Sequence, residues 1–172
     1  SDVVFREAGT GDPWAPAQVP GSVHTDLMAL GRIPDPFVAD HELEVQWVAE
    51  RDWEYRVRFR PDEELLEQER IFLVCDGLDT LSDVRFNGQF LGHTENMFRR
   101  YRWDVTDQVT EGQNEAHLLF SSTVTYMLEK QAGDRLIGPS QSIPGGAHVR
   151  KAPSQFGWDW GPQLPPIGIW RE

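Results

Sequence analysis

Short β-type runs separated by turn residues predict an all-β sandwich, and three stretches carry that prediction. From Trp53 to Phe59 the chain alternates, with Trp53, Tyr55, Val57 and Phe59 on one face and Glu54, Arg56 and Arg58 on the other, the pattern of a half-buried strand. Ile71 to Cys75 is continuously apolar and ends on Asp76-Gly77, which reads as an inner strand. Asn87-Gly88 stands between Asp83-Val84-Arg85-Phe86 and Gln89-Phe90-Leu91, and this pair readily adopts the positive φ angles of a tight hairpin turn.

The remaining elements follow in order. Ser22 caps a short helix with Val23, Leu27 and Leu30 on one face and Gly31 just past its end. Asp40 caps a turn or two in which Leu43 and Trp47 are four residues apart. The acidic stretch from Pro61 to Arg70 reads as a solvated loop or helical turn. Strands are expected from Arg99 to Val105 and, after the Glu111-Gly112 turn, from Glu115 to Ser121. Thr123 to Gln131, ending near Gly133, reads as a third helix.

Size and charge narrow the function. At 172 residues the chain fits one domain with a core that needs no disulfide or metal staple. Sixteen basic against 28 acidic residues give a net charge of −12, and no basic run tracks a phosphate backbone, so nucleic acid and anionic membranes are poor partners. Apolar runs of at most five residues fall far short of the roughly 20 needed to cross a bilayer, and the N-terminus lacks a charged-then-apolar signal pattern. Cys75 stands alone within an apolar run and reads as a small buried hydrophobe. The histidines at 24, 41, 93, 117 and 148 are scattered, and solvated or singly bonded side chains are expected. No zinc spacing, nucleophile elbow or phosphate loop is present in the sequence, so no metal or cofactor is expected. Asp76 and Asp79 flank Gly77-Leu78 and are expected in turn and capping roles.

Gly133 to Pro166 breaks the regular texture: these 34 residues hold six of the 15 glycines and six of the 12 prolines. A structureless segment of this length is usually functional. A flexible linker would be polar, whereas this one contains Phe156-Gly157-Trp158-Asp159-Trp160-Gly161-Pro162, a cluster that needs a surface to pack on. If locally extended, it puts Trp158 and Trp160 on one side and Asp159 on the other. Two readings stand at Asp159. A carboxylate can hold two neighbouring sugar hydroxyls while an indole covers the apolar face of a pyranose; alternatively both indoles are core, and Asp159 bridges to Arg150 or caps a turn. Arg150 and Lys151 are expected to hold the base of the loop through exposed pairs with nearby carboxylates.

A series of motifs runs in order along almost the whole chain: Val19-Pro20-Gly21-Ser22-Val23-His24-Thr25-Asp26-Leu27, Ile33-Pro34-Asp35-Pro36-Phe37, Trp47-Val48 and Asp52-Trp53-Glu54-Tyr55. It continues with Asp76-Gly77-Leu78-Asp79-Thr80, Phe86-Asn87-Gly88, Asn96-Met97-Phe98-Arg99-Arg100-Tyr101, Arg150-Lys151, the Phe156 to Pro162 cluster and Gly168-Ile169-Trp170-Arg171. In this series the chain resembles the N-terminal domain of β-mannosidases of the glycoside hydrolase family 2 type. Pro153-Ser154-Gln155 and Gln163 depart from that pattern.

The resemblance implies a jelly-roll β-sandwich, galactose-binding-domain-like, spanning 1–172 as a single domain of a longer glycosidase. Immunoglobulin-like domains and a (β/α)8 barrel would follow it, the barrel carrying the two glutamates of a retaining mechanism roughly 5 to 5.5 Å apart. The chain itself is then expected to be non-catalytic and silent on β-mannosides alone. It implies substrate contact by Trp158, Asp159 and Trp160, whose loop reaches into the barrel to bind a terminal mannose, and it implies no cofactor. Two alternatives are a free-standing carbohydrate-binding or interaction module and the same domain of another family 2 β-glycosidase, such as an exo-β-glucosaminidase. Removed from a barrel, the exposed loop would seek contacts in its own sandwich or in a homodimer.

Overall fold

The computed structural model describes residues 2–171. The strands β1 (Asp2–Glu7), β2 (Ala15–Pro16), β3 (Trp53–Phe59), β6 (Ser82–Phe86), β7 (Gln89–Thr94) and β9 (Asn114–Phe120) form a six-stranded sheet in the order β2-β1-β3-β9-β6-β7. All of its pairings are antiparallel. Two separate antiparallel pairs make the opposing layer: β4 (Phe72–Cys75) with β8 (Tyr101–Asp104), and β5 (Gly77–Asp79) with β12 (Gly168–Arg171). Phe5, Trp53, Tyr55, Val84, Phe86, Leu118 and Phe120 face inward from the large sheet and meet Cys75, Leu78 and Ile169 in one core. The period-2 alternation therefore has its predicted outcome, because a sheet covered on one face must bury every second side chain.

Helices are few: α1 (Val23–Ala29), α2 (His41–Glu44), α3 (Glu63–Leu66) and α4 (Thr123–Gly133). Ser22 caps α1 in a reciprocal box with Thr25, and Gly31 takes φ +64° beyond the C-cap Leu30. Asp62 caps α3, so the acidic stretch from Pro61 to Arg70 does contain a helical turn. Asp40 precedes α2 without lending its side chain, and Leu43 is exposed rather than facing Trp47 in a shared core. The turn between β6 and β7 has Asn87 and Gly88 at φ +47° and +83°.

Two expectations need correction. Ile71 to Cys75 is not an inner strand: β4 has β8 as its ladder partner, and Val74 is 42% exposed. The outward face is tolerated because Arg102 and Arg70 lay guanidinium groups over the Phe72 ring, at 3.3 and 5.2 Å from its centroid. The polar face of β3 is not simply solvated either. Glu54 is buried and accepts from Arg6 Nε at 2.6 Å and His117 Nε2 at 2.7 Å. Burial alone would raise its carboxyl, but hydrogen bonds from His117 and Arg6 win and hold it low. Trp14 closes this outer network, with the guanidinium groups of Arg6 and Arg56 over its ring at 4.4 and 4.1 Å from the centroid.

Candidate functional site

The segment after α4 is organised by its glycines and by a buried cation. At Gly145, φ is +87°, and an added Cβ would lie 2.6 Å from the carbonyl oxygen of Met127, so the loop backbone runs directly against α4. Only glycine permits both the conformation and the approach. Short 3-10 turns at Gly146–His148 and Pro153–Gln155 then lead into a hairpin of β10 (Phe156–Trp158) and β11 (Gly161–Gln163), paired through Phe156 with Gln163 and Trp158 with Gly161.

Lys151 closes the base. Its Nζ donates to Asp79 Oδ2 at 2.5 Å and to the Pro166 carbonyl at 2.6 Å, with both charged side chains almost wholly enclosed. The Pro166 bond ties together the two ends of the segment that carries the hairpin. Burial pulls the Lys151 ammonium below the ordinary lysine range, and Asp79 opposes that shift. The expected contact with a carboxylate is thus present, but it is buried rather than exposed, and Asp79 serves as its partner rather than in a turn. The reason is topological: β5 is covered by β12 on one side and by the loop base on the other, so water is excluded. Next to Lys151, Arg150 bridges to Asn96 in a parallel pairing and accepts at its carbonyl from Met97 N, 3.0 Å away. Arg150 and Asp159 form no ion pair among the described residues.

His24 is a further correction. It is buried with no hydrogen-bond partner at Nδ1, and burial, reinforced by the positive charge of Lys151, pushes its pKa down to about 4.

Phe156 is buried and anchors the hairpin, while Trp158 is 42% exposed, Trp160 is 77% exposed and Asp159 is exposed. Asp159 and Trp160 form the turn itself, so the locally extended arrangement does not occur. Gly157, at φ +88° and within 2.3 Å of Gln163 Cγ for an added Cβ, lets the two strands close and the chain reverse. The tip therefore presents one carboxylate beside two indoles. Trp158 and Trp160 also border a groove of about 630 Å3, whose wall includes Leu136, Ile137, Pro144 and Phe156.

Two residues that the sequence did not single out touch the hairpin from outside its own loop. Glu42 Oε1 accepts from Gln163 N at 2.7 Å, and Gln46 Nε2 donates to the Gln163 carbonyl at 2.8 Å. No local signal reveals them, because the partners lie 121 and 117 residues apart. Among the described residues, no group of three or more His, Cys, Asp or Glu is placed to hold a metal ion, and no helix is long and apolar enough to cross a membrane.

Chemically, the tip can accept hydrogen bonds from vicinal hydroxyls through Asp159 and stack an indole on a sugar face. The chain is 36% identical over 172 residues to the β-mannosidase of Mus musculus, covering 95% of this chain and 20% of that protein. It is 37% identical over 174 residues to β-mannosidase B of Emericella nidulans, covering 98% of this chain and 20% of that one. It thus spans about a fifth of the length of these relatives. A crystal structure of β-D-mannosidase from Dictyoglomus thermophilum superposes with a TM-score of 0.92 at 40% identity, over 99% of this chain and 21% of that one. An exo-chitosanase from Amycolatopsis orientalis shares the fold, with a TM-score of 0.60 at 23% identity over 70% of this chain and 16% of its own. The model of the glycosyl hydrolase 2 galactose-binding domain-like family matches residues 4–171, and with the all-β sandwich described above it places this chain in that family.

Proposed function

We propose that this chain is the non-catalytic N-terminal domain of an exo-acting retaining β-mannosidase and lends Trp158, Asp159 and Trp160 to the binding of a terminal β-mannoside in the active site of a downstream barrel. The observation that carries this reading is the hairpin tip: an exposed carboxylate and two exposed indoles on a base locked by a buried ion pair. The core leaves both indoles at least partly uncovered, side by side with the carboxylate, so all three groups are open to a partner. A retaining mechanism needs two carboxylates across one sugar ring, and the tip supplies one, so its role is recognition rather than bond cleavage. The similarity to β-mannosidases over nearly the full chain supports the sugar.

The test is Asp159→Ala in the protein that joins this domain to its barrel, assayed on an aryl β-mannoside. Losing a charge-assisted hydrogen bond of about 1.5 to 3 kcal/mol lowers kcat/KM by roughly ten- to a hundredfold. The fold survives, because the residue is exposed. Wild-type kinetics in the folded variant would refute the reading.

A further inference from the structure

We propose that Glu42 and Gln46 are positioning residues for the Asp159 hairpin, holding its second strand from a neighbouring element so that the tip keeps one orientation. The inference rests on the proposed recognition role of that tip.

Gln163 sits directly opposite Phe156 in the hairpin, yet its own N–H and C=O turn away from β10. On that outer edge another strand would ordinarily pair. Instead, two side chains supply the missing ladder: the Glu42 carboxylate takes the N–H at 2.7 Å and the Gln46 amide gives to the carbonyl at 2.8 Å. Both backbone groups of one residue are thereby satisfied by a single neighbouring segment, as an edge requires.

That segment is itself rooted in the core. Val45 and Val48, which flank Gln46, are fully buried, and the Val48 carbonyl accepts from Trp53 Nε1 at 2.8 Å. Gln46 Nε2 also donates to the Glu42 carbonyl at 2.8 Å, which fixes the amide before it meets β11. A continuous path therefore runs from the core beside Trp53, through Gln46 and Glu42, to Gln163, and the pairing of Gly161 with Trp158 carries it to the tip. The clamp holds β11 on its outer edge, whereas Lys151 holds the loop only at its ends. The buried Phe156 and the 2.9 Å donation from Ile143 N to its carbonyl hold β10, and Gln163 Nε2 reaches the Gln141 carbonyl of the same long loop at 3.0 Å; the clamp is what ties β11 to the segment beside Trp53. A site built for sugar geometry needs such outside support.

The decisive measurement is amide exchange and backbone 15N relaxation on the 172-residue chain, which needs no sugar. In Glu42→Ala, Gln163 N–H exchange accelerates by about tenfold or more, and order parameters at 158–161 fall from about 0.85 toward about 0.6. Gln46→Ala loosens the same residues. Glu42→Gln, which keeps an oxygen acceptor, restores wild-type behaviour. Amides of β3 and β9 stay as in wild type in all three. An unchanged tip in the Glu42→Ala/Gln46→Ala double variant overturns the proposal, and so does loosening spread over the whole sheet. In the barrel-bearing protein the double variant raises KM for an aryl β-mannoside about three- to tenfold with kcat within about twofold, the split expected for lost uniform binding. An unchanged KM alongside a loosened tip overturns the recognition part of the proposal. Neutral kinetics in Asp159→Ala would instead sink the substrate reading while leaving the clamp's effect on the tip intact, so the two failures are told apart.

Discussion

Lys151→Met removes one partner of an ion pair in which the lysine side chain is 0% and the aspartate side chain 1% exposed. Two losses follow. The Asp79 carboxylate is left charged without its cation, and the Pro166 carbonyl loses the Nζ donor at 2.6 Å. Breaking a buried pair from one side costs about 3 to 5 kcal/mol, roughly a fifth or more of the stability of a typical domain. For a chain of this length that lowers Tm by roughly 6 to 20 °C. The double variant Lys151→Met/Asp79→Asn removes the stranded charge and leaves a neutral amide, so its cost falls to about 1 to 3 kcal/mol. Urea unfolding at neutral pH, followed by tryptophan fluorescence, measures both. A single-variant loss below about 1 kcal/mol, or a double variant no more stable than the single, would refute the account of the loop base.

Three further outcomes are expected. The unfolded chain protonates His24 near pH 6.5 but the folded chain only near 4, so its contribution to stability is full above pH 6.5 and lost progressively toward pH 4, by about 3 kcal/mol in total; His24→Phe flattens this part of the pH profile, and profiles that run parallel would contradict it. Burial, with a smaller push from the charge of Asp76, raises the Cys75 thiol to about 12, so iodoacetamide at mildly alkaline pH modifies it only after denaturation; rapid labelling of the native chain would be the adverse result. In Gly77→Ala the new Cβ falls 2.5 Å from Trp170 Nε1, and the indole must give up its 2.9 Å donation to the Met97 carbonyl; a loss of about 1 to 3 kcal/mol and a shifted Trp170 indole resonance are expected, and an unperturbed resonance would argue against the packing.

What the sequence revealed was what local chemistry determines. Asn87-Gly88, the Ser22 cap and the alternation in β3 each express a preference decided within a few residues, and each has the structure it predicts. The all-β class followed from summing such signals. Hidden features were those decided by contacts remote in sequence. Ile71 to Cys75 looks inner by composition, yet whether a second strand flanks it depends on the course of the whole chain. Glu54, Asp79 and Lys151 look like surface charges, and only the arrival of Arg6, His117 and the loop base makes burial tolerable. The hairpin was visible as an aromatic cluster around Asp159, but its turn was not, since the closure depends on Gly157 meeting Gln163 and on Glu42 and Gln46 from a distant helix and turn.

The division of labour along the hairpin also governs how it can change. Phe156 and Gln163 are tied into the sandwich, whereas Asp159 and Trp160 contribute nothing to its core and project into solvent. Substitutions at such exposed positions typically alter stability by within about 0.5 kcal/mol. Chemical novelty at the tip is therefore nearly free of thermodynamic penalty, while the flanking residues stay constrained. Under the recognition role proposed above, the two-residue turn is a place where binding preference can be redirected by a small combinatorial library on a scaffold that does not register the change.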